Sequence, residues 1–169
     1  VFREAVLMFQ REFALRLAAR PGEELYCRLS ANCQLLAQVT HVLKVGKNNF
    51  RPPPKVESSV VRIRPHTPPP PVNFVEWDGL LRLCFTRKHK TLSAIFRNSN
   101  VVDLIAKNYL TYCALQNIPE EERVPVTKEL VVSILEKAEL AETRAGTMDT
   151  DGFLKLLNAF NESNLHFVS

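Results

Sequence analysis

The residues with the clearest chemical potential lie between Asn49 and Ile63, in the stretch NFRPPPKVESSVVRI. An aromatic, Phe50, stands directly before a turn stiffened by Pro52, Pro53 and Pro54. Arg51 lies inside that turn, Lys55 follows it, and Ser58 and Ser59 open the next element. Consecutive prolines fix φ, which predicts one extended path that presents Phe50. An aromatic on a rigid loop among cations can stack on an unpaired base beside a phosphate backbone. On the residues alone, the plainer reading carries more weight: a stiff loop with Phe50 as an ordinary core anchor. A second basic group, Arg87, Lys88, His89 and Lys90, runs into Thr91 and Leu92. Thr91 as an N-cap would turn backbone amides and the positive helix end outward beside the lysines, which suits a phosphate. A solvated charge run is the usual explanation of such a tetrad. Lys44, Lys47 and Arg97 are candidates to extend the same surface.

The elements that must position these residues follow from periodicity. Five apolar residues, Ala5 to Phe9, predict a strand buried on both faces of a parallel sheet. A helix is predicted over Arg11–Ala19, ended by Pro21 and Gly22, and a second over Leu29–Gln38. Val39–Val45 reads as a strand with Val39, His41, Leu43 and Val45 on one side, His41 being a hydrogen-bonded core residue. In the strand after the proline turn, Ser59, Val61 and Ile63 share one face, and Val60, Arg62 and Arg64 the other. After Pro65–Pro71 the period becomes helical throughout. Apolar stripes predict five helices: Trp77, Leu80, Leu81 and Cys84; Leu92, Ile95 and Phe96; Val101, Leu104, Ile105, Tyr109, Tyr112 and Cys113, capped by Asn100; Leu130, Val131, Ile134, Leu135 and Ala138; and Phe153, Leu156, Leu157 and Phe160. The expected fold is α/β plus all-α: the back half of a Rossmann-like sheet over 1–65, a proline-rich linker over 66–75 and a small helical domain over 76–169.

Composition narrows the function. Residues 1–116 carry seventeen Lys and Arg against eight Asp and Glu, and residues 117–169 carry five against ten, for a net charge of +4. The basic part is expected to meet an anion. Cys27, Cys33, Cys84 and Cys113 form no C-x-x-C pair, which argues against zinc and against a disulfide framework and fits a reducing compartment. Met148–Phe153 has the outline of a calcium loop, but the oxygen ligand, glycine and glutamate it needs would fall on Phe153, Leu154 and Phe160. Asp149 or Asp151 is better read as a helix N-cap. No apolar run is long enough to span a bilayer. The chain begins at Val1, not Met, and goes straight into an apolar run, which predicts a terminus further upstream. A sheet without its front half would expose apolar edges and faces, which predicts poor solubility of this part alone.

Three stretches together carry a family resemblance. Asn49–Ile63, MFQREFALRLAARPG (Met8–Gly22) and FTRKHKTLSAIF (Phe85–Phe96) resemble the rRNA adenine dimethyltransferases, in their order and rough spacing, most closely the eukaryotic branch. The resemblance implies that S-adenosylmethionine is used to convert two adjacent adenines near the 3′ end of small-subunit rRNA to N6,N6-dimethyladenine, in ribosome biogenesis. It implies that Phe50 stacks on the flipped-out adenine, with Pro52, Pro54 and Ser58 shaping the loop and Arg51, Lys55, Arg87, Lys88 and Lys90 meeting RNA. It also implies a partner in the pre-ribosomal particle, a nuclear or nucleolar location with cytoplasm as the alternative, no membrane, and a monomer. The family's N-[LI]-P-Y tetrapeptide falls just upstream of Val1. Neither it nor a glycine-rich cofactor turn occurs in this chain, whose five glycines are isolated. Two alternatives stand beside the enzyme: a non-catalytic RNA-binding or ribosome-assembly module, and a relative turned to another use, such as the mitochondrial transcription factors of this family.

Overall fold

In a computed structural model, which describes residues 2–167, the chain divides into two units, Val1–Pro71 and Val72–Ser169. Val1 and residues 168–169, where the expected first and last domains begin and end, lie outside the described residues.

The first unit opens with β1 (Ala5–Gln10), which passes directly into α1 (Arg11–Ala18). After a turn at Gly22, whose φ of +91° suits glycine, come α2 (Arg28–Leu36), β2 (Ala37–Val45) and β3 (Ser58–Pro65). The sheet order is β1-β3-β2, with β3 antiparallel to both neighbours. β1 and β2 therefore run the same way, separated by a strand that runs against them.

The expected all-parallel setting of β1 is thus corrected. Its burial on both faces is corrected as well: Val6, Leu7 and Met8 are 59, 43 and 51 % exposed. A continuous apolar run signals two covered faces, but among the described residues α1 packs mainly on β3 and β2 and leaves β1 largely uncovered. Helix α2 ends at Leu36 rather than Gln38, because the backbone turns extended at Ala37 and becomes β2 without a loop. In β2 the expected single face is broken. His41 pairs with Val61, but Leu43 pairs with Val60, so a bulge between them moves Leu43 and Val45 to the face opposite Val39 and His41.

β3 alternates as its sequence predicts: Ser59 and Val61 are fully buried while Arg64 is exposed. Helix α1 packs on β3 and β2, contributing buried Ala14 and Leu17. Ala31, Leu35 and Tyr26 complete this core. The end of α1 leaves carbonyls without helical partners. Gln34 Nε2 donates to Leu17 O at 3.1 Å and to Ala19 O at 2.7 Å, and Ser30 Oγ donates to Arg16 O. Side chains of α2 therefore close α1 in place of a capping glycine.

The second unit contains α3 (Phe74–Thr86), α4 (Leu92–Phe96), α5 (Ser99–Leu115), α6 (Lys128–Lys137) and α7 (Thr150–Asn161), the five helices expected. Trp77, Leu80, Leu81, Cys84, Leu92, Phe96, Ile105, Leu135, Phe153, Leu156 and Phe160 are completely buried. Phe96 stacks on Phe160 at 5.1 Å, and Phe160 meets Phe167 edge-on at 5.1 Å. Thr91 caps α4 and Asp149 caps α7, as expected.

The cap of α5 is Asn98, whose Oδ1 accepts from Asn100 N at 3.0 Å. The helix starts earlier than expected and its buried stripe is rotated: Val102 replaces Val101, and Leu104 is 39 % exposed. All four cysteines are free thiols. Cys84 and Cys113 are buried, and Cys27 and Cys33 are half-buried. Burial pushes the Cys84 thiol far up, so it stays protonated.

The C-terminal segment is an integral layer of this unit. Leu165 and Phe167 are 1 and 3 % exposed. Asn108 Nδ2 donates to His166 O at 3.1 Å, and His166 Nδ1 lies 2.7 Å from Oε1 of buried Glu76. A Cβ added at Gly79 would sit 2.0 Å from Phe167 O, so glycine is what lets the segment cross α3.

Candidate nucleic-acid interface

The β2–β3 loop, residues 46–57, holds the first set of sequence candidates. It opens with a 3-10 turn at Lys47–Asn49, closed by Asn49 Nδ2 donating to Gly46 O at 3.0 Å and by Phe50 N donating to Lys47 O at 3.3 Å. Phe50 is half-buried on extended backbone. The chain bends at Phe50–Pro52 and again at Lys55–Val56, and the Arg51–Pro52 peptide is cis. The single extended path expected from the prolines is therefore corrected. Arg51, Pro52 and Lys55 are exposed, Pro54 is half-buried, and Ser58 begins β3 opposite Gln10 and Val45.

Glu57 secures the loop. Its carbonyl accepts from Arg11 N at 2.9 Å, and its Oε2 meets Lys44 Nζ at 2.8 Å and Arg11 Nη1 at 3.1 Å. The hydrogen bond from Lys44, then that from Arg11, holds its carboxyl below the usual range. The expectation for Lys44 changes accordingly, because its charge is already engaged by Glu57. Ser59 Oγ and His41 Nε2 are 3.1 Å apart, so His41 is hydrogen-bonded as expected, but it is exposed and not a core residue.

A cleft of about 430 Å³ lies between the start of α1 and this loop and brings together two candidates, Lys47 and Lys55. Phe50 does not line it.

The second set lies in the helical unit, between α3 and α4. Arg87, His89 and Lys90 are exposed and Lys88 is half-buried. Lys90 N donates to Arg87 O at 2.9 Å, and Lys88 O accepts from Gly146 N at 2.9 Å. A side chain at Gly146 would crowd that carbonyl at 3.1 Å. Thr91 bridges Arg144, and Leu92 N donates to Thr143 O at 2.8 Å. The basic turn is thus held by residues 143–146, a segment without a signal in local periodicity. That segment brings exposed Arg144 beside Thr91, a cation that sequence reasoning missed. Thr91 Oγ1 accepts from Ala94 N at 3.3 Å. Because α4 has only five residues, its dipole is weaker than the expected helix implied, and the cations themselves must carry anion binding. Arg97 lines a different cleft with Lys128, Glu129 and Glu136, so it does not extend a purely basic surface.

Cofactor chemistry needs a glycine turn between strand and α-helix. The turn from β1 to α1 reads Phe9, Gln10, Arg11, and no described junction from a strand to an α-helix carries glycine. These residues do not fit a holder for S-adenosylmethionine. Among the described residues no His, Cys, Asp and Glu cluster is arranged to hold a metal, and no helix is long and apolar enough to cross a membrane.

A three-stranded sheet with two helices, followed by a unit of five helices, is an arrangement found in other solved structures. The crystal structure of the 23S rRNA methyltransferase ErmE superposes with a TM-score of 0.54 at 20 % identity over 94 % of this chain and 55 % of that one, which shows the fold. The chain belongs to the ribosomal RNA adenine dimethylase family, whose model matches residues 1–128. It is 58 % identical over 99 % of its length to a probable dimethyladenosine transferase of Dictyostelium discoideum, and 54 % identical over 98 % to a dimethyladenosine transferase of Schizosaccharomyces pombe. The dimethyladenosine transferase structure from Plasmodium falciparum matches with a TM-score of 0.90 at 42 % identity, covering 99 % of this chain and 61 % of that one. The chain spans about half the length of the curated relatives it matches.

Proposed function

We propose that the protein is an S-adenosylmethionine-dependent enzyme that dimethylates two adjacent adenines near the 3′ end of small-subunit rRNA during ribosome biogenesis in the nucleus, and that this chain supplies its RNA-facing part. The observation that carries the reading is the uninterrupted likeness to eukaryotic dimethyladenosine transferases across both units. The two cationic loops supply the physical rationale. Phe50 stacks on the extruded adenine, because a base amine is out of reach while paired and stacked. Arg51 and Lys55 in the first unit, and Arg87, Lys88 and Lys90 in the second, meet phosphates of the RNA. The chemistry of methyl transfer is assigned to residues outside this chain.

A second reading is favoured by one observation, the absence of glycine from the described turns between strand and α-helix: a non-catalytic RNA-binding or assembly module. The test is nucleoside mass spectrometry of small-subunit rRNA after incubation with the full-length protein and S-adenosylmethionine. Formation of N6,N6-dimethyladenine supports the enzyme. RNA binding without methyl transfer supports the module.

A further inference from the structure

The charges around the cleft between α1 and the β2–β3 loop can be traced one by one. Glu57 is engaged by Arg11 and Lys44, and Glu12 by Arg16 at 2.5 Å. Lys47 and Lys55 line the same cleft, and their ammonium groups meet no carboxylate among the described residues. Beside these two unspent cations the wall is apolar, formed by Leu15, Leu25 and Val56. Leu25 and Val56 are 36 and 49 % exposed. A single exposed valine is ordinary; an apolar wall set beside two unpaired ammonium groups is a specific combination. The cleft also lies at the carboxyl-terminal ends of β1 and β2, which run in the same direction, the place where open α/β sheets bind ligands.

The geometry points to a seat for one unpaired nucleotide of an RNA strand, with ribose and base against Leu15, Leu25 and Val56 and the flanking phosphates on Lys47 and Lys55. This nucleotide is a neighbour of the target, because Phe50 does not line the cleft. The inference rests on the RNA reading above, and it gives an enzyme of adjacent adenines a place to hold one nucleotide while another is presented. An acidic peptide or free phosphate would satisfy the lysines but leave the apolar wall uncovered.

The test uses the full-length protein and a short single-stranded RNA containing two adjacent adenines with one 4-thiouridine beside them. Irradiation is expected to cross-link the thiouridine to peptides containing Leu25 or Val56. The double variant Lys47→Ala, Lys55→Ala is expected to bind at least tenfold more weakly at low salt. It should also flatten the log–log salt dependence by about 1.4, at about 0.7 per phosphate of a single strand. Lys47→Arg with Lys55→Arg should retain both, and unchanged circular dichroism shows that the fold is kept. Unchanged affinity and slope, with cross-links confined to Arg87–Lys90, would overturn the seat and leave the RNA reading standing. Failure of the unaltered protein to bind the RNA would overturn both. Displacement by a polyglutamate peptide without any cross-link to Val56 would mark an acidic-peptide site instead and overturn the proposal.

Discussion

Arg11 and Glu57, 46 positions apart, are joined twice: backbone N–H to carbonyl at 2.9 Å and guanidinium to carboxylate at 3.1 Å. Lys44 completes the clasp from β2 at 2.8 Å. One carboxylate thereby ties the exit of the loop that carries Phe50 to the β1–α1 junction and to β2. The ion pairs are largely exposed, so their contribution is screened by salt.

Replacing Glu57 by Gln should loosen the loop without unfolding the unit. Because the folded carboxyl lies below its usual value, the clasp is fully formed above the ordinary carboxylate pKa of about 4.3 and is lost as pH falls through the lowered value. The gap in melting temperature between the native protein and Glu57→Gln is expected to be steady near neutrality and to close in acid. Amide exchange of residues 55–58 should quicken in the variant. A gap that widened on acidification would contradict this.

Lys88→Ala with Lys90→Ala should leave the turn in place, because Gly146 and Thr143 hold backbone atoms. The salt dependence of binding to a single-stranded RNA should flatten by about 0.7 log–log units for each phosphate that is no longer neutralised. Adding Arg144→Ala should flatten it further. An identical slope in the double variant would remove these lysines from the interface.

Gly79→Ala pits two effects against each other. Alanine gains about 1 kcal/mol of helix propensity. Its Cβ would lie 2.0 Å from Phe167 O, so the C-terminal segment must shift and Phe167 loses its seat. Overpacking of this kind costs about 1–3 kcal/mol and is expected to win. Chemical denaturation should show a lower midpoint; an unchanged or raised midpoint would mean that the segment moves aside freely.

Gln34→Ala removes the two hydrogen bonds that its amide gives to Leu17 O and Ala19 O, and leaves the one from Ser30 to Arg16 O. Leaving those carbonyls unpartnered is expected to cost about 1–3 kcal/mol, read as a drop in the unfolding midpoint of the first unit.

What could be read from the sequence was local. The alternation of β3, the existence of five helices, the stripes of all but α5, and the caps Thr91 and Asp149 follow from neighbours a few residues away. The features missed are long-range or decided by near-equal local options. The bulge that separates His41 from Leu43 breaks an alternation that the residue types permit. In Asn98-Ser99-Asn100 either asparagine suits a cap by residue type, and the first one caps α5. The apolar run of β1 is the same whether one face or both are covered. The Glu57 clasp, the Gly146 support of Lys88 and the crossing of Phe167 over Gly79 join residues far apart, so no periodicity could reveal them. Phe50 and its basic companions stood out because residue type and family likeness coincide there, whereas Arg144 became visible only through its bridge to Thr91.

The most direct test of the central claim is single-turnover adenine methylation by the full-length protein carrying Phe50→Ala. If Phe50 stacks on the target base, the loss is about 1–3 kcal/mol, a fall in rate of roughly five- to 150-fold. RNA affinity should be weakened far less when the Arg87–Lys90 run is intact. Methylation kinetics equal to those of the unaltered protein would contradict the account.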